Sequence, residues 1–177
     1  VGIHKSNIPS TLRGIIEELR PVADKPDRFC VELNRVLKSI LRRPDQLIFV
    51  SAVYLVVDAQ SGLVRYTNAG HPSAIVAKSK DGRAELMDEE RKEAQPALGL
   101  FEEITYTSQQ CQLETNDLIL CYTDGLYDAR SSRGDVYGRG RLLEVVRENS
   151  HPHAETLIKN IISDVERFSG RKQLEDD

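Results

Sequence analysis

The residues of this chain best suited to chemistry are carboxylates. Asp124 follows the apolar run Leu118-Ile119-Leu120-Cys121-Tyr122 and stands inside Thr123-Asp124-Gly125. Runs of that kind read as core strands bounded by turn signals, which places Asp124 at the mouth of a buried strand. A carboxylate on so rigid an element suits a metal ligand, and it equally suits a cap on the turn that follows. Gly125 lets the backbone turn tightly or lets a ligand approach closely. Asp128 lies four residues on, and Asp176-Asp177 stand at the other end of the last helical stretch. That pair reads either as a frayed acidic tail or as further oxygen ligands. Hard divalent cations such as magnesium and manganese take carboxylate oxygens from separate chain segments, with water filling the remaining positions. Two such ions can activate a bridging water and clamp a phosphoryl oxygen for in-line attack.

Other reactive types carry less. His71 sits between Gly70 and Pro72, where it serves as a general acid, as a phosphate contact, or simply as a turn histidine bonded to backbone. His4, His151 and His153 occupy polar, terminal or capping positions. Arg130, Arg133, Arg139 and Arg141 cluster in one polar stretch and read as phosphate contacts or as the charged face of a solvated loop. The chain contains no GxxxxGK[ST], HExxH or GxSxG motif, so those chemistries have no foothold. A haloacid-dehalogenase site with Asp124 as nucleophile is excluded by Leu126, which stands where the partner aspartate belongs.

The elements that must position these groups follow from periodicity. Leu12, Ile15, Ile16 and Leu19 recur at helical spacing behind Ser10 and Thr11, and Pro21 stops or kinks that helix. Asp24-Lys25-Pro26-Asp27 opens a second helix whose apolar face runs from Phe29 to Leu41. Leu47 to Val57 is almost continuously apolar and β-branched, which predicts a strand covered on both faces. Leu63 to Thr67, Ser73 to Lys78 and Ala84 to Met87 are joined to it by short turns, which predicts an antiparallel meander. Ile104 to Leu113 suits another strand, and Glu114 to Asp117 turns the chain into the central strand at Leu118. Ala129 to Gly140 reads as a surface flap. Leu142 to Val146 marks a helix, and His153 to Phe168 an amphipathic one. The pattern is α+β, and a two-sheet sandwich with helices outside would suit it.

At 177 residues the chain is most simply one domain with a sizeable core. Its hydrophobic fraction of 40% and charged fraction of 29% are those of a globular protein. A net charge of −4 offers no electrostatic case for nucleic acid. No apolar run approaches the roughly 20 residues that span a bilayer, and no secretory signal opens the chain, so no membrane contact is expected. Cys30, Cys111 and Cys121 are odd in number and widely spaced, as for reduced packing residues of a cytoplasmic protein.

Five stretches in order carry a resemblance: Tyr66-Thr67-Asn68-Ala69-Gly70-His71-Pro72; Pro96-Ala97-Leu98-Gly99; Asp117 through Leu126; Tyr137-Gly138; and Asp176-Asp177. Together they resemble the bacterial SpoIIE/RsbU-type serine phosphatases, a branch of the metal-dependent protein phosphatase 2C (PP2C) superfamily. The resemblance implies an α-β-β-α sandwich of antiparallel sheets flanked by helices, with a binuclear Mn2+ or Mg2+ centre. It assigns Asp124 and Asp176 as metal ligands, with Asp177 and Gly125 as adjoining candidates. The family also places an aspartate before its first helix, whereas Val1 to Ser10 hold no acidic residue. The expectation is therefore a single PP2C-like domain over residues 1–177 that lacks its first strands and its last strand. The implied activity is hydrolysis of a phosphoserine or phosphothreonine on a regulatory protein of the anti-anti-sigma type, by metal-activated water. A homodimer is compatible with it. The alternative is a non-catalytic phosphatase-like binding or signalling module in a sigma-factor switch.

Overall fold

The computed structural model describes residues 8–41, 47–89, 93–149 and 153–170. The chain divides into two compact units, one built from residues 1–71 and 92–112 and the other from 72–91 and 113–177.

The first unit begins with α1 (Ile8–Glu18), a single 3-10 turn at Arg20–Val22 and α2 (Pro26–Leu41). Pro21 ends the first helix as its ring requires. Pro26 at the start of α2 costs nothing, because the first N–H groups of a helix have no partner anyway. Asp27 in the first turn and Lys38 in the last match the helix dipole. The apolar stripe of α2 lies on a three-stranded antiparallel sheet of order β1-β2-β5, formed by Ala52–Val57, Leu63–Ala69 and Gln109–Gln112. Its core gathers Cys30, Leu37, Ala69, Leu98 and Tyr106. Phe29 stacks on Tyr54 at 3.9 Å, and the Tyr54 hydroxyl donates to the Ala23 carbonyl at 3.0 Å. Burial first, then the charge of Asp27, pushes the Cys30 thiol up to about 12, so it packs as an inert apolar group.

The second unit holds a three-stranded antiparallel sheet of order β4-β3-β6, formed by Ala84–Leu86, Ile75–Ala77 and Leu118–Leu120. Three helices accompany it: α3 (Asp124–Tyr127), α4 (Gly138–Glu148) and α5 (Ala154–Ser169). Leu142, Val145 and Val146 of α4 join Leu157, Ile161 and Val165 of α5 and Ile75 of β3 in one core. The turn before β6 is stitched by Asp117, whose side chain is 1% exposed. Its carboxylate accepts from Lys78 Nζ at 3.0 Å and from the Ser79 and Glu114 N–H groups at 2.9 Å each. No helix among the described residues is long and apolar enough to cross a membrane.

The helices and hairpins stand where periodicity places them, but four expectations change. The strand expected from Leu47 starts only at Ala52 and is half-buried, with Leu47 70% and Phe49 54% exposed. Among the described residues it pairs only with β2 and stands at the end of its sheet, and its residues are half-buried where full burial was expected. The expected meander is two hairpins in two separate sheets. β6 is only three residues long, half-buried and, among the described residues, at the end of its sheet, not central. Finally α4 begins at Gly138, inside the stretch expected to be a flap.

The break between hairpins has a local cause. Asn68 clamps the turn, accepting from the His71 N–H and donating to the His71 carbonyl, both at 2.9 Å. Gly70 within it has φ +70°, and a Cβ there would lie 2.8 Å from the Ala97 nitrogen. Gly70→Ala therefore combines left-handed strain with a backbone clash. We expect it to destabilise the chain by about 2 kcal/mol, read as a lower urea midpoint at unchanged slope.

Candidate active site

The site grows out of the end of β6. Leu120 is the last paired residue, and Cys121 and Tyr122 carry the chain on outside any regular element. Tyr122 is 5% exposed and sits in the core beside Tyr137 and Leu142, so it anchors the strand end. Thr123 is extended at φ −93°, ψ 168°, and Asp124 then opens the single helical turn of α3. The turn closes through the Asp128 N–H, which donates to the Asp124 carbonyl at 2.8 Å. Asp124 is thus exposed at the start of a helical turn four residues beyond the end of the strand, where the sequence suggested the strand's own mouth. Its side chain has no hydrogen-bond partner among the described residues. Gly125 behind it is half-buried. Asp128 is exposed four residues on, a spacing that sets both carboxylates on one side of the turn.

The polar stretch after Asp128 is a closed loop. Arg130 bridges Val136, the Tyr137 N–H donates to the Ala129 carbonyl at 2.9 Å, and Ser131 accepts from the Arg133 and Asp135 N–H groups. The far end of the loop is pinned by Asp164, a carboxylate buried on α5. It accepts from the Tyr137 hydroxyl at 2.9 Å, from Arg141 Nε and Nη2 at 2.9 and 3.1 Å, and from Arg167. The Arg141 guanidinium also lies 5.2 Å from the Tyr137 ring centroid and 4.9 Å from that of Phe168. Arg141, helped by Arg167 and Tyr137, holds the Asp164 carboxyl well below the usual carboxylate range despite burial. Burial, with Asp164 beside it, pushes the Tyr137 phenol up.

The four arginines therefore separate. Arg141 is committed to Asp164, Arg130 donates to the Gly134 carbonyl at 3.3 Å, and Arg133 is exposed. Arg139 alone of the four faces α3: its guanidinium lies 4.7 Å over the Tyr127 ring and donates to the Tyr127 hydroxyl at 3.1 Å. His71 is a backbone-bonded turn residue whose Nδ1 lies 3.2 Å from Ser51 Oγ. His153 precedes α5 as its N-cap. Cys30 is buried, Cys111 half-buried and Cys121 exposed, all as free thiols. Asp176, Asp177, His4 and His151 lie outside the described residues. No group of three or more His, Cys, Asp or Glu placed to hold a metal occurs among the described residues. Within them, Asp124 is a carboxylate fit for a hard cation: exposed, held on a fixed turn and uncommitted.

Two buried polar residues were not foreseen. Asp164 and Asn34 each interrupt the apolar stripe of an amphipathic helix, between Ile161 and Val165 and between Cys30 and Leu37. A polar residue at a core register position was the available signal. Asn34 accepts from the Gly99 N–H at 2.8 Å and donates to the Phe101 carbonyl at 3.1 Å, which fixes the Pro96–Gly99 segment.

Comparison with known proteins decides the family. The SpoIIE family (Stage II sporulation protein E) matches residues 2–177, essentially the whole chain. The chain belongs to the SpoIIE family. Its relatives include the phosphoserine phosphatase RsbU of Bacillus subtilis, 24% identical over 160 residues, which are 90% of this chain and 45% of RsbU. The fold matches the SiaA-PP2C domain of Pseudomonas aeruginosa with a TM-score of 0.71 at 16% identity, over 97% of this chain and 68% of that one. It also matches the manganese-presoaked SpoIIE phosphatase domain of Bacillus subtilis with a TM-score of 0.56 at 14% identity, over 100% and 73%. The expected mixed fold of helices and antiparallel sheets, of SpoIIE/RsbU and PP2C type, is the one found. The chain spans 17% to 45% of the length of the curated relatives it matches.

The Asp164 cluster makes a measurable claim. A carboxyl with a depressed pKa stabilises the fold fully above the unfolded aspartate value of about 3.9, and that contribution is lost as pH falls through the folded value. Asp164→Asn should cost roughly 2–3 kcal/mol at pH 7. In urea melts across pH, the gap between wild type and variant should close as the pH falls below about 4.

Proposed function

We propose that this chain is the phosphatase domain of a metal-dependent protein serine/threonine phosphatase, acting on a phosphoserine or phosphothreonine of a regulatory protein of the anti-anti-sigma type. The observation that carries the reading is the Asp124 carboxylate. It is exposed and free of hydrogen-bond partners among the described residues, at the Thr-Asp-Gly turn of a SpoIIE-family chain. Relatives named phosphoserine phosphatases support the reaction class. Manganese soaking of the structurally similar SpoIIE domain supports Mn2+ or Mg2+. In this reading Asp124 and Asp176 hold a binuclear centre, with Asp177 and the Gly125 backbone beside them.

The bound ions would supply a Lewis acid and a water ionised near neutral pH. The chain's own part is to place Asp124 without reorganisation. Tyr122 anchors the backbone in the core, and the α3 hydrogen bonds fix the turn. Gly125, lacking a side chain, keeps the approach to the backbone open.

The test uses the full-length protein that carries this chain and a phosphoserine peptide of an anti-anti-sigma-type protein. Chelation should abolish turnover and Mn2+ should restore it. Asp124→Asn keeps the shape and removes the charge a divalent ion requires, so kcat/KM should fall about a hundredfold or more with the melting temperature unchanged. Asp128→Asn should cost much less, since Asp128 already lies in the field of Arg139. Equal losses in the two variants would remove Asp124 from the metal site.

A further inference from the structure

Two residues before Asp124 stands a buried polar atom without a partner among the described residues. The Tyr122 hydroxyl is buried and makes no hydrogen bond among the described residues. A phenol in that position ordinarily finds an acceptor, because burying it unpaired is unfavourable. Its neighbours are specific. The Tyr122 ring meets the Tyr127 ring edge-on, with centroids 6.0 Å apart at 87°. Arg139 lies on that Tyr127 ring.

Arg139 is itself only partly committed. A guanidinium carries five N–H donors, and among the described residues the hydrogen bond to Tyr127 is its one bond. No carboxylate lies within ion-pair distance of it among the described residues, in contrast to Arg141 and Arg167. Contact with the Tyr127 ring and hydroxyl positions the guanidinium while it stays exposed, and its remaining N–H donors can meet two oxygens of a phosphate at once. Tyr127 stands three residues after Asp124, so ring and carboxylate are neighbours on one helical turn.

We propose that Arg139, stacked on Tyr127, binds the phosphoryl oxygens of the substrate beside Asp124, with the Tyr122 hydroxyl as the buried second donor. This deepens the phosphatase reading and rests on it. Asp124 and Asp128 place two negative charges on the same turn, so the subsite favours an oxyanion that arrives together with a cation at Asp124. Phosphate should accordingly bind more tightly in the presence of Mg2+ or Mn2+ than in their absence.

The experiment follows inorganic phosphate binding to the full-length protein through the NMR signals of labelled tyrosine rings, with and without the diamagnetic ion Mg2+. In parallel, phosphopeptide turnover gives KM, kcat and the inhibition constant of phosphate. In the wild type, phosphate should shift the Tyr122 and Tyr127 ring signals. Arg139→Ala should weaken phosphate inhibition and raise KM by about tenfold each, while kcat changes less than about threefold. Arg139→Lys keeps the charge without the planar fork and should recover only part of the loss. Tyr122→Phe should weaken phosphate inhibition severalfold without lowering the melting temperature, and Arg133→Ala should leave every value unchanged. Unaltered phosphate affinity in Arg139→Ala overturns the proposal, whether or not kcat or the melting temperature falls, because Arg139 is then only a clip on α3. Phosphate that shifts both rings in a protein without turnover upholds the subsite and defeats the phosphatase reading instead.

Discussion

The carboxylate of Asp164 is the constraint on which the second unit's functional end depends. It sits on the inner face of α5, a position where an unpaired charge would be strongly unfavourable. Tyr137 and Arg141 come to it from the start of α4, and Arg167 from its own helix. The bidentate geometry of Arg141 fixes direction as well as distance, because both guanidinium edges must align with both carboxylate oxygens. Tyr137 is held in turn by its hydroxyl to Asp164 and by its N–H to Ala129, so the loop after α3 is tied at both ends. Replacing this cluster by apolar residues could match it in stability, but not in the single orientation it imposes on the start of α4.

Orientation is what the proposed chemistry needs. Arg139 lies on α4 one residue into the helix after Gly138, and Tyr127 lies on α3. The stacking of one on the other is defined only if α4 enters at a fixed angle, which is the effect of Tyr137 and Arg141 on either side of Arg139. Anchoring therefore runs from Asp164 through α4 to the face of α3 that carries Asp124. Each link is a packed ring or a charge-assisted hydrogen bond, and none relies on an exposed ion pair, whose contribution is small.

Much of this fold was legible in the residues. Helical periodicity located α2 and α5 because their apolar stripes are long and regular, and Pro21 marked the break before α2. Short apolar runs were less informative. Leu47 to Val57 has the composition of a strand covered on both faces, yet its first five residues are largely exposed and its paired part is an edge strand; composition reports what a segment can bury, not what is there to bury it. That two sheets would suit the pattern was legible, but not where the chain leaves one for the other, a change that falls at the turn where Gly70 lies against Ala97, a residue distant in sequence. At the site, Asp124 was visible from its motif. Asp164 and Tyr122 were not, since a lone polar residue in an apolar stripe is informative only once its partners are known.

Residue type alone does not separate a ligand from a scaffold. Asp117, Asp124 and Asp164 are all aspartates next to buried structure, and Asp117 lies in the same motif as Asp124. Asp117 has both oxygens committed, to Lys78 and to two backbone N–H groups, and its side chain is sealed from solvent. Asp164 is likewise saturated by one phenol and two guanidinium groups. A divalent ion could take either carboxylate only by displacing those donors and leaving them buried without partners, a loss comparable to what the new bonds would supply. Asp124 has nothing to displace but water. A protein builds a cation site where the backbone is fixed and the lone pairs are left open, and among these three aspartates only Asp124 meets both conditions.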